Sequence, residues 1–192
     1  MFWKDLKLSI DTDKLVRQFG TEFLVNDKIN ITDSRITNVG SGFLIVAKEL
    51  DWQTNIVSDY IGCNIATVRI FITNPFSFFP MHRDCKGGKT SLREWAINIP
   101  LMNCDNGYNQ WFSDDENYFG NEIYSESGNA IIPEDQTKIY NISDRQILNC
   151  PKLIRTDIHH NVDNTDNKNF RVILSYRSDD NISWNDIVSR VA

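Results

Sequence analysis

The chain has 192 residues, 41% hydrophobic and 11% aromatic, which suits one domain with a full core. A net charge of −6 and a pI near 5.0 argue against broad binding to DNA or RNA. The N-terminus, MFWKDLKLSI, lacks a signal peptide's basic start and apolar core, no apolar run approaches the ~18–20 residues of a membrane span, and Cys63, Cys85, Cys104 and Cys150 show no C-x-x-C pairing, so a soluble cytoplasmic protein with reduced thiols is expected.

In chain order, the first predicted element is a helix over Asp11–Phe19, with Asp and Thr as capping candidates and Gly20 as its stop. Short apolar or alternating runs then predict strands at Gly42–Ala47, Ile65–Thr73, Glu94–Leu101, Asn109–Phe112, Glu122–Tyr124, Ala130–Ile132, Lys138–Ile142, Lys152–Ile158 and Phe170–Arg177. Gly, Asn, Asp and Pro clusters separate them. A capping-box-like Ser183-Trp-Asn-Asp186 opens a final helix carrying Ile187, Val188 and Val191. No repeat or linker divides the chain. One domain over residues 1–192 is expected, with residues 1–60 as a helix/strand extension packed on it. The expected fold class is mainly β: a sandwich or jelly-roll barrel with flanking helices.

The stretch Pro80-Met-His-Arg-Asp-Cys-Lys-Gly-Gly-Lys-Thr90 contains two decoys. Its HRD lacks the Asn that a kinase catalytic loop carries five residues after the Asp, where Lys89 stands. Its GKT lacks the P-loop glycine five residues before Gly88, where Arg83 stands. What remains is a local basic cluster of Arg83, Lys86, Lys89 and Arg93, read as a solvated loop, and the pair His82-x-Asp84. In extended backbone, residues two apart face the same way, so one strand end can offer an imidazole and a carboxylate to one ion.

The other two histidines are adjacent, in Arg155-Thr-Asp-Ile-His-His-Asn-Val162. Read as a strand, Thr156, Ile158, His160 and Val162 form a mainly apolar face that turns inward. His160 is then the ligand candidate and His159 a surface or outer-shell residue; a register slip of one would exchange them. Eleven residues after His160, Arg171 shares a strand face with Ile173 and Ser175. A guanidinium buried there needs an anion, either a bound carboxylate held by two parallel hydrogen bonds or one of Asp84, Asp157 and Asp163. Arg177, at the far end of that strand, is read as a surface cap. Trp95, Trp111, Phe112 and Tyr176 are read as core, Cys85 as a small apolar packing residue, and Asp114–Glu116 as a solvated loop.

Two histidines and a carboxylate match the facial triad of non-haem Fe(II) oxygenases, which leaves positions open for a chelating 2-oxo acid and O₂. With His82-x-Asp84, His160 and Arg171 in this order, the chain from about Ile65 to Arg177 resembles the Fe(II)/2-oxoglutarate-dependent dioxygenases, which implies a double-stranded β-helix, the cupin-like form of the jelly-roll. Within them it looks most like the aspartyl/asparaginyl β-hydroxylase branch, because Arg93-Glu-Trp-Ala-Ile-Asn-Ile-Pro-Leu101 places an arginine eleven residues after His82 and ends in an apolar-Pro-Leu triplet. The resemblance implies Fe(II) on His82, Asp84 and His160, 2-oxoglutarate as co-substrate on Arg171 with a second contact from Arg93, and hydroxylation of a small molecule or peptide by O₂. Two departures stand out. Ile173 occupies a position where many family members carry Ser or Thr, and Asp84 is present where some members of the named branch lack the carboxylate. The same residues are compatible with a cupin-like metalloenzyme that uses no oxo acid and with a non-catalytic jelly-roll. Iron loading is expected to fall at acid pH as protons compete for the imidazoles.

Overall fold

The computed structural model describes residues 1–47, 52–86, 91–112, 123–124, 130–131, 141–178 and 180–191. Among these the elements run β1 (Trp3–Asp5), α1 (Thr12–Phe23), β2 (Leu24–Val25), β3 (Lys28–Ile29), β4 (Ile36–Asn38), β5 (Gly42–Val46), α2 (Thr54–Ile61), β6 (Thr67–Thr73) and β7 (Ser77–Arg83). They continue with β8 (Cys85–Lys86), β9 (Ser91–Leu92), β10 (Trp95–Met102), β11 (Tyr108–Phe112), β12 (Ile123–Tyr124), β13 (Ala130–Ile131), β14 (Ile142–Ile147), β15 (Lys152–Arg155), β16 (His160–Asn164), β17 (Arg171–Arg177) and α3 (Trp184–Arg190). Lys89, the Asp114–Glu116 stretch and residues 138–140 of one expected strand lie outside the described residues.

Two antiparallel sheets make the body. One has the order β1-β15-β10-β17-β6-β5-β4, the other β12-β13-β7-β16-β11-β14. Alternation along the central strands serves two layers. On β17, Val172, Leu174 and Tyr176 join Ile70 and Ile72 of β6 and Ile97 and Ile99 of β10 in a core that includes Leu15, Phe19 and Phe23 of α1, Val57 and Ile61 of α2, and Ile187 of α3. The helices therefore cover one face of the larger sheet. Residues of opposite parity on β17 (Arg171, Ile173, Arg177) line a pocket together with residues of the smaller sheet. Every residue of β17 is buried, which is why its sequence reads as nearly continuous apolar.

Local signals explain the helices at the two ends. Asp11 caps α1 by accepting from the Lys14 amide at 2.8 Å, and Ser183 caps α3 by accepting from the Asp186 amide at 3.1 Å. The expected stop at Gly20 does not occur. The helix runs on to Phe23 because Phe19 and Phe23, four residues apart, are both fully buried, and that burial outweighs the roughly 1 kcal/mol that one glycine costs a helix. The helix α2 lacks a cap at its N-terminus, where Gln53 stands in the left-handed region without a side-chain cap bond, and ends on Gly62, also left-handed, whose amide donates to the Ser58 carbonyl.

Two further departures bear on the site. The strand β7 carries Pro80 in the interior of a sheet, where proline removes a ladder hydrogen bond. The ladder accommodates it with a register shift: His82 pairs with His160 but Phe79 with Val162, so the proline sits in a bulge. The expected strand Lys152–Ile158 ends at Arg155, in the larger sheet. The chain then crosses over and re-enters the smaller sheet at His160.

Candidate metal centre and its pocket

That crossing and the Pro80 bulge bring the two histidines together. His82 and His160 are directly opposed across the β7–β16 ladder, with ring centroids 4.4 Å apart. Asp84 follows β7, and its backbone is fixed on both sides: its amide donates to the Thr156 carbonyl at 2.9 Å, and its carbonyl accepts from the Arg93 amide at 2.8 Å. One ligand atom from each of His82, Asp84 and His160 lies within 4.8 Å of the others, and all three residues are buried. His82 Nε2 is 3.7 Å from Asp84 Oδ1.

The tautomers follow from the backbone. His82 Nδ1 is 2.7 Å from the Pro80 carbonyl and His160 Nδ1 is 2.8 Å from the Ile158 carbonyl. A carbonyl can only accept, so both Nδ1 atoms carry the proton, and each Nε2 lone pair is left to coordinate. Asp84 is oriented by Arg177, whose Nη2 approaches Oδ2 to 2.9 Å, yet neither carboxylate oxygen receives a directed hydrogen bond. A fully buried carboxylate left in that state, facing two imidazole lone pairs, has the donor set of a divalent metal site. The residues present fit an Fe(II) ion.

Burial, then the neighbouring His160, pushes the His82 imidazole down from 6.5 to about 3; burial likewise lowers His160. Burial works to raise the Asp84 carboxyl, but Arg177 and the histidines outweigh it and hold it below 3.8. Both imidazoles are therefore neutral and ready to bind metal at pH values where a free imidazole is charged, and proton competition for His82 is displaced toward pH 3. Because the unfolded chain takes up these protons near its ordinary histidine value of 6.5 and the folded chain does not, the stability of the metal-free protein should decline as pH falls below about 6.5 and level off near the folded value. Melting temperatures of metal-free protein from about pH 7.5 to about 4.5 test this. A progressive fall is expected, and a flat profile would contradict neutral buried imidazoles.

The pocket beside these ligands has a cavity volume of about 40 Å³. Phe71, Phe79, Ile154, Val162 and Ile173 give it apolar walls, interrupted by Thr73, Asn98 and Thr156. Arg171 also lines it, 1% exposed, with Nη2 donating to Asn109 Oδ1 at 3.2 Å and Nε without a partner. No carboxylate among the described residues pairs with it. The three acids weighed for it in the sequence are taken by other arginines: Asp84 by Arg177, Asp157 by Arg155 and Asp163 by Arg145. Gly107 makes room for it, since a Cβ there would stand 2.7 Å from Arg171 Cδ.

The remaining expectations divide. Arg93 is buried but does not line the pocket; its Nη1 donates to the Ser178 carbonyl at 3.1 Å, so a contact to a co-substrate in the pocket is not placed on it. Arg177 is not a surface cap. It is 6% exposed, lines the pocket and stacks on Phe71 with its guanidinium carbon 5.2 Å from the ring centroid. His159 is buried rather than exposed, ahead of β16, and its carbonyl accepts from the Phe112 amide at 3.0 Å. Trp95, Trp111, Phe112, Tyr176 and Cys85 are all buried, as read.

No model of a known protein family matches the chain, and no curated protein does. Among solved structures it is similar to the epimerase SnoN, solved with Fe3+, alpha-ketoglutarate and nogalamycin RO, at TM-score 0.55 and 8% identity over 91% of this chain and 77% of that one. The chain has a jelly-roll fold. Weaker likenesses are to an oxidoreductase of the 2OG-Fe(II) oxygenase family from Burkholderia pseudomallei, at TM-score 0.48 and 12% identity over 85% of this chain and 75% of that one, and to AviO1 from Streptomyces viridochromogenes Tue57, at 0.46 and 12% over 93% and 90%. In the jelly-roll the candidate ligands sit between the two sheets, where ladders from both fix the backbone around them. No helix among the described residues is long and apolar enough to cross a membrane.

Proposed function

We propose that this jelly-roll protein is an Fe(II)- and 2-oxoglutarate-dependent oxygenase acting on a small molecule or peptide. One observation carries the reading: the pocket lined by His82 and His160, which with Asp84 make a two-histidine, one-carboxylate donor set, is also lined by a buried arginine, Arg171, that has no acid partner among the described residues. The charges favour an anionic co-substrate. Arg171 and Arg177 line the pocket, Asp84 offsets one of them, and a divalent ion would add two further positive charges. The apolar walls suit the methylenes of a five-carbon dicarboxylic oxo acid.

His82, Asp84 and His160 would hold the iron, which with the oxo acid and O₂ would supply the oxidising power for hydroxylation as the oxo acid is converted to succinate and CO₂. The chain's own part is positioning. The Pro80 and Ile158 carbonyls keep each Nε2 lone pair available, Arg177 keeps Asp84 ionised and oriented, Arg171 anchors the distal carboxylate, and the apolar walls exclude water. The fold likeness to SnoN, whose complex holds Fe3+ and alpha-ketoglutarate, agrees with this reading. The run from Arg93 to Leu101 carries the likeness to the aspartyl/asparaginyl branch, but with Arg93 turned to Ser178 the assignment rests at the superfamily. Free cysteines suit a cytoplasmic setting. A metalloenzyme using the same ligands without an oxo acid would leave Arg171 buried with no anion.

Incubation with Fe(II), 2-oxoglutarate and O₂ should yield succinate, slowly without the prime substrate, and a chelator should stop it. Folded, iron-loaded protein that forms no succinate under any of these conditions would overturn the proposal.

A further inference from the structure

We infer that Trp111 is a positioning residue for the metal centre: its indole fixes the segment that carries the chain from one sheet to the other, and so sets where His160 and Asp84 stand. The inference rests on the proposed function and gives a task to a residue that the sequence marks only as core.

The crossing runs from Arg155 to His160, and most of its carbonyls are tied to the site. The Thr156 carbonyl accepts from the Asp84 amide at 2.9 Å, the Ile158 carbonyl lies 2.8 Å from His160 Nδ1, and the His159 carbonyl accepts from the Phe112 amide at 3.0 Å. At the head of the segment the Arg155 carbonyl accepts from Trp111 Nε1 at 2.9 Å. Trp111 is fully buried and stands directly opposite His160 in the β11–β16 ladder, so both side chains rise from the same face of the smaller sheet. One residue therefore holds both ends of the crossing, the first by a hydrogen bond and the last by strand pairing. Bulges flank this pair, at Trp111/Phe112 toward β14 and at His160/Val162 toward β7, and such irregular ladders re-aim the side chains they carry.

The indole is itself held in place. Phe2 stacks on it, with ring centroids 6.1 Å apart and planes 12° from parallel, and the Phe2 carbonyl accepts from the Arg155 amide at 2.8 Å. Trp3 packs into the same cluster with Ala96 and Ile154. Its Nε1 donates to Asp144 Oδ2 at 3.0 Å, and Asp144 is the partner of Trp111 on β14. Because β1 and β14 are edge strands of the two sheets, Phe2 and Trp3 lock Trp111 from the seam between them.

The test is Co(II) titration of metal-free protein, read by the visible ligand-field band and by melting temperature. Trp111→Phe keeps a ring beside Phe2 but has no N–H. It should bind Co(II) roughly ten- to a hundredfold more weakly, as when a group that orients a ligand is removed, and should shift the band. Phe2→Ala should act in the same direction with a smaller effect, and Phe2→Tyr should restore both readouts. Ile187→Val is the control, in the core under α3 on the helix-covered face of the larger sheet, and should lower the melting temperature without moving the band. Should Trp111→Phe not fold, the Phe2 pair carries the comparison. A folded Trp111→Phe or Phe2→Ala protein with wild-type affinity and band, or a control that moves the band as far for the same loss of stability, overturns the inference and leaves the proposed function standing. Wild-type protein that binds no Co(II) overturns the proposed function, and the inference falls with it.

Discussion

Replacing Arg171 with methionine should make the metal-free protein more stable and blind to 2-oxoglutarate. In the fold this guanidinium is fully buried, donates to Asn109, lies beside the Cys104 thiol and has no carboxylate partner among the described residues. Its desolvation is uncompensated until an anion binds, and burial correspondingly disfavours its charged form. Methionine has comparable length and no charge to bury. The gain should be about 1–3 kcal/mol, less whatever the orphaned Asn109 carbonyl costs. That corresponds to a rise of a few degrees in melting temperature, at ~2–4 °C per kcal/mol for a chain of this size. The same substitution removes the anchor for the distal carboxylate, so 2-oxoglutarate should no longer raise the melting temperature of the metal-loaded variant. Thermal melts with and without metal and oxo acid read both effects. A variant that is destabilised when metal-free, yet still stabilised by 2-oxoglutarate, would show that Arg171 is a structural residue with a partner of its own.

His160→Ala should leave the jelly-roll folded and reduce metal affinity far beyond the ~10–100-fold that loss of an outer-sphere partner causes. His160 is neutral, at the start of β16, and its ring meets that of His82 at a tilt of 47°, so its removal takes away one of three donor atoms without stranding a charge. His159→Ala is the matched control. His159 is equally buried, but the candidate donor set does not include it. Metal titrations of the two variants decide between the adjacent histidines. Loss of metal binding in His159→Ala with retention in His160→Ala would mean that the ligand register is shifted by one.

The sequence disclosed most where local chemistry governs. Asp11 and Ser183 announced their helices because capping is a contact over three residues, and β6, β10, β11 and β17 announced themselves by runs of buried residues. It disclosed least where a distant partner decides. Pro80 hid β7 because a proline inside a sheet reads as a break, and only the opposing β16 reveals the bulge that accommodates it. The expected strand Lys152–Ile158, and the overlapping reading of Arg155–Val162 as a strand, ran through a crossing, since the chain changes sheets between Arg155 and His160.

The site divides in the same way. His82, Asp84 and His160 were legible from spacing and from the scarcity of histidine, and the fold does bring them together. From spacing alone Arg93 looked like a contact for the co-substrate and Arg177 like a surface cap; in the fold Arg177 lines the pocket and its guanidinium reaches the Asp84 carboxylate, across 93 positions of sequence, while Arg93 meets Asp84 through its backbone amide. Asn109 carried no signal at all, since an asparagine on one strand acquires meaning only when Arg171 of another strand is seen to donate to it.

The most direct measurement is the visible absorption of the protein as Fe(II) and then 2-oxoglutarate are added without oxygen. A metal-to-ligand charge-transfer band that needs both additions is expected, absent in His160→Ala and lost or weakened in Arg171→Met. Folded wild-type protein that shows no such band and retains no iron would contradict the metal centre and, with it, the oxygenase.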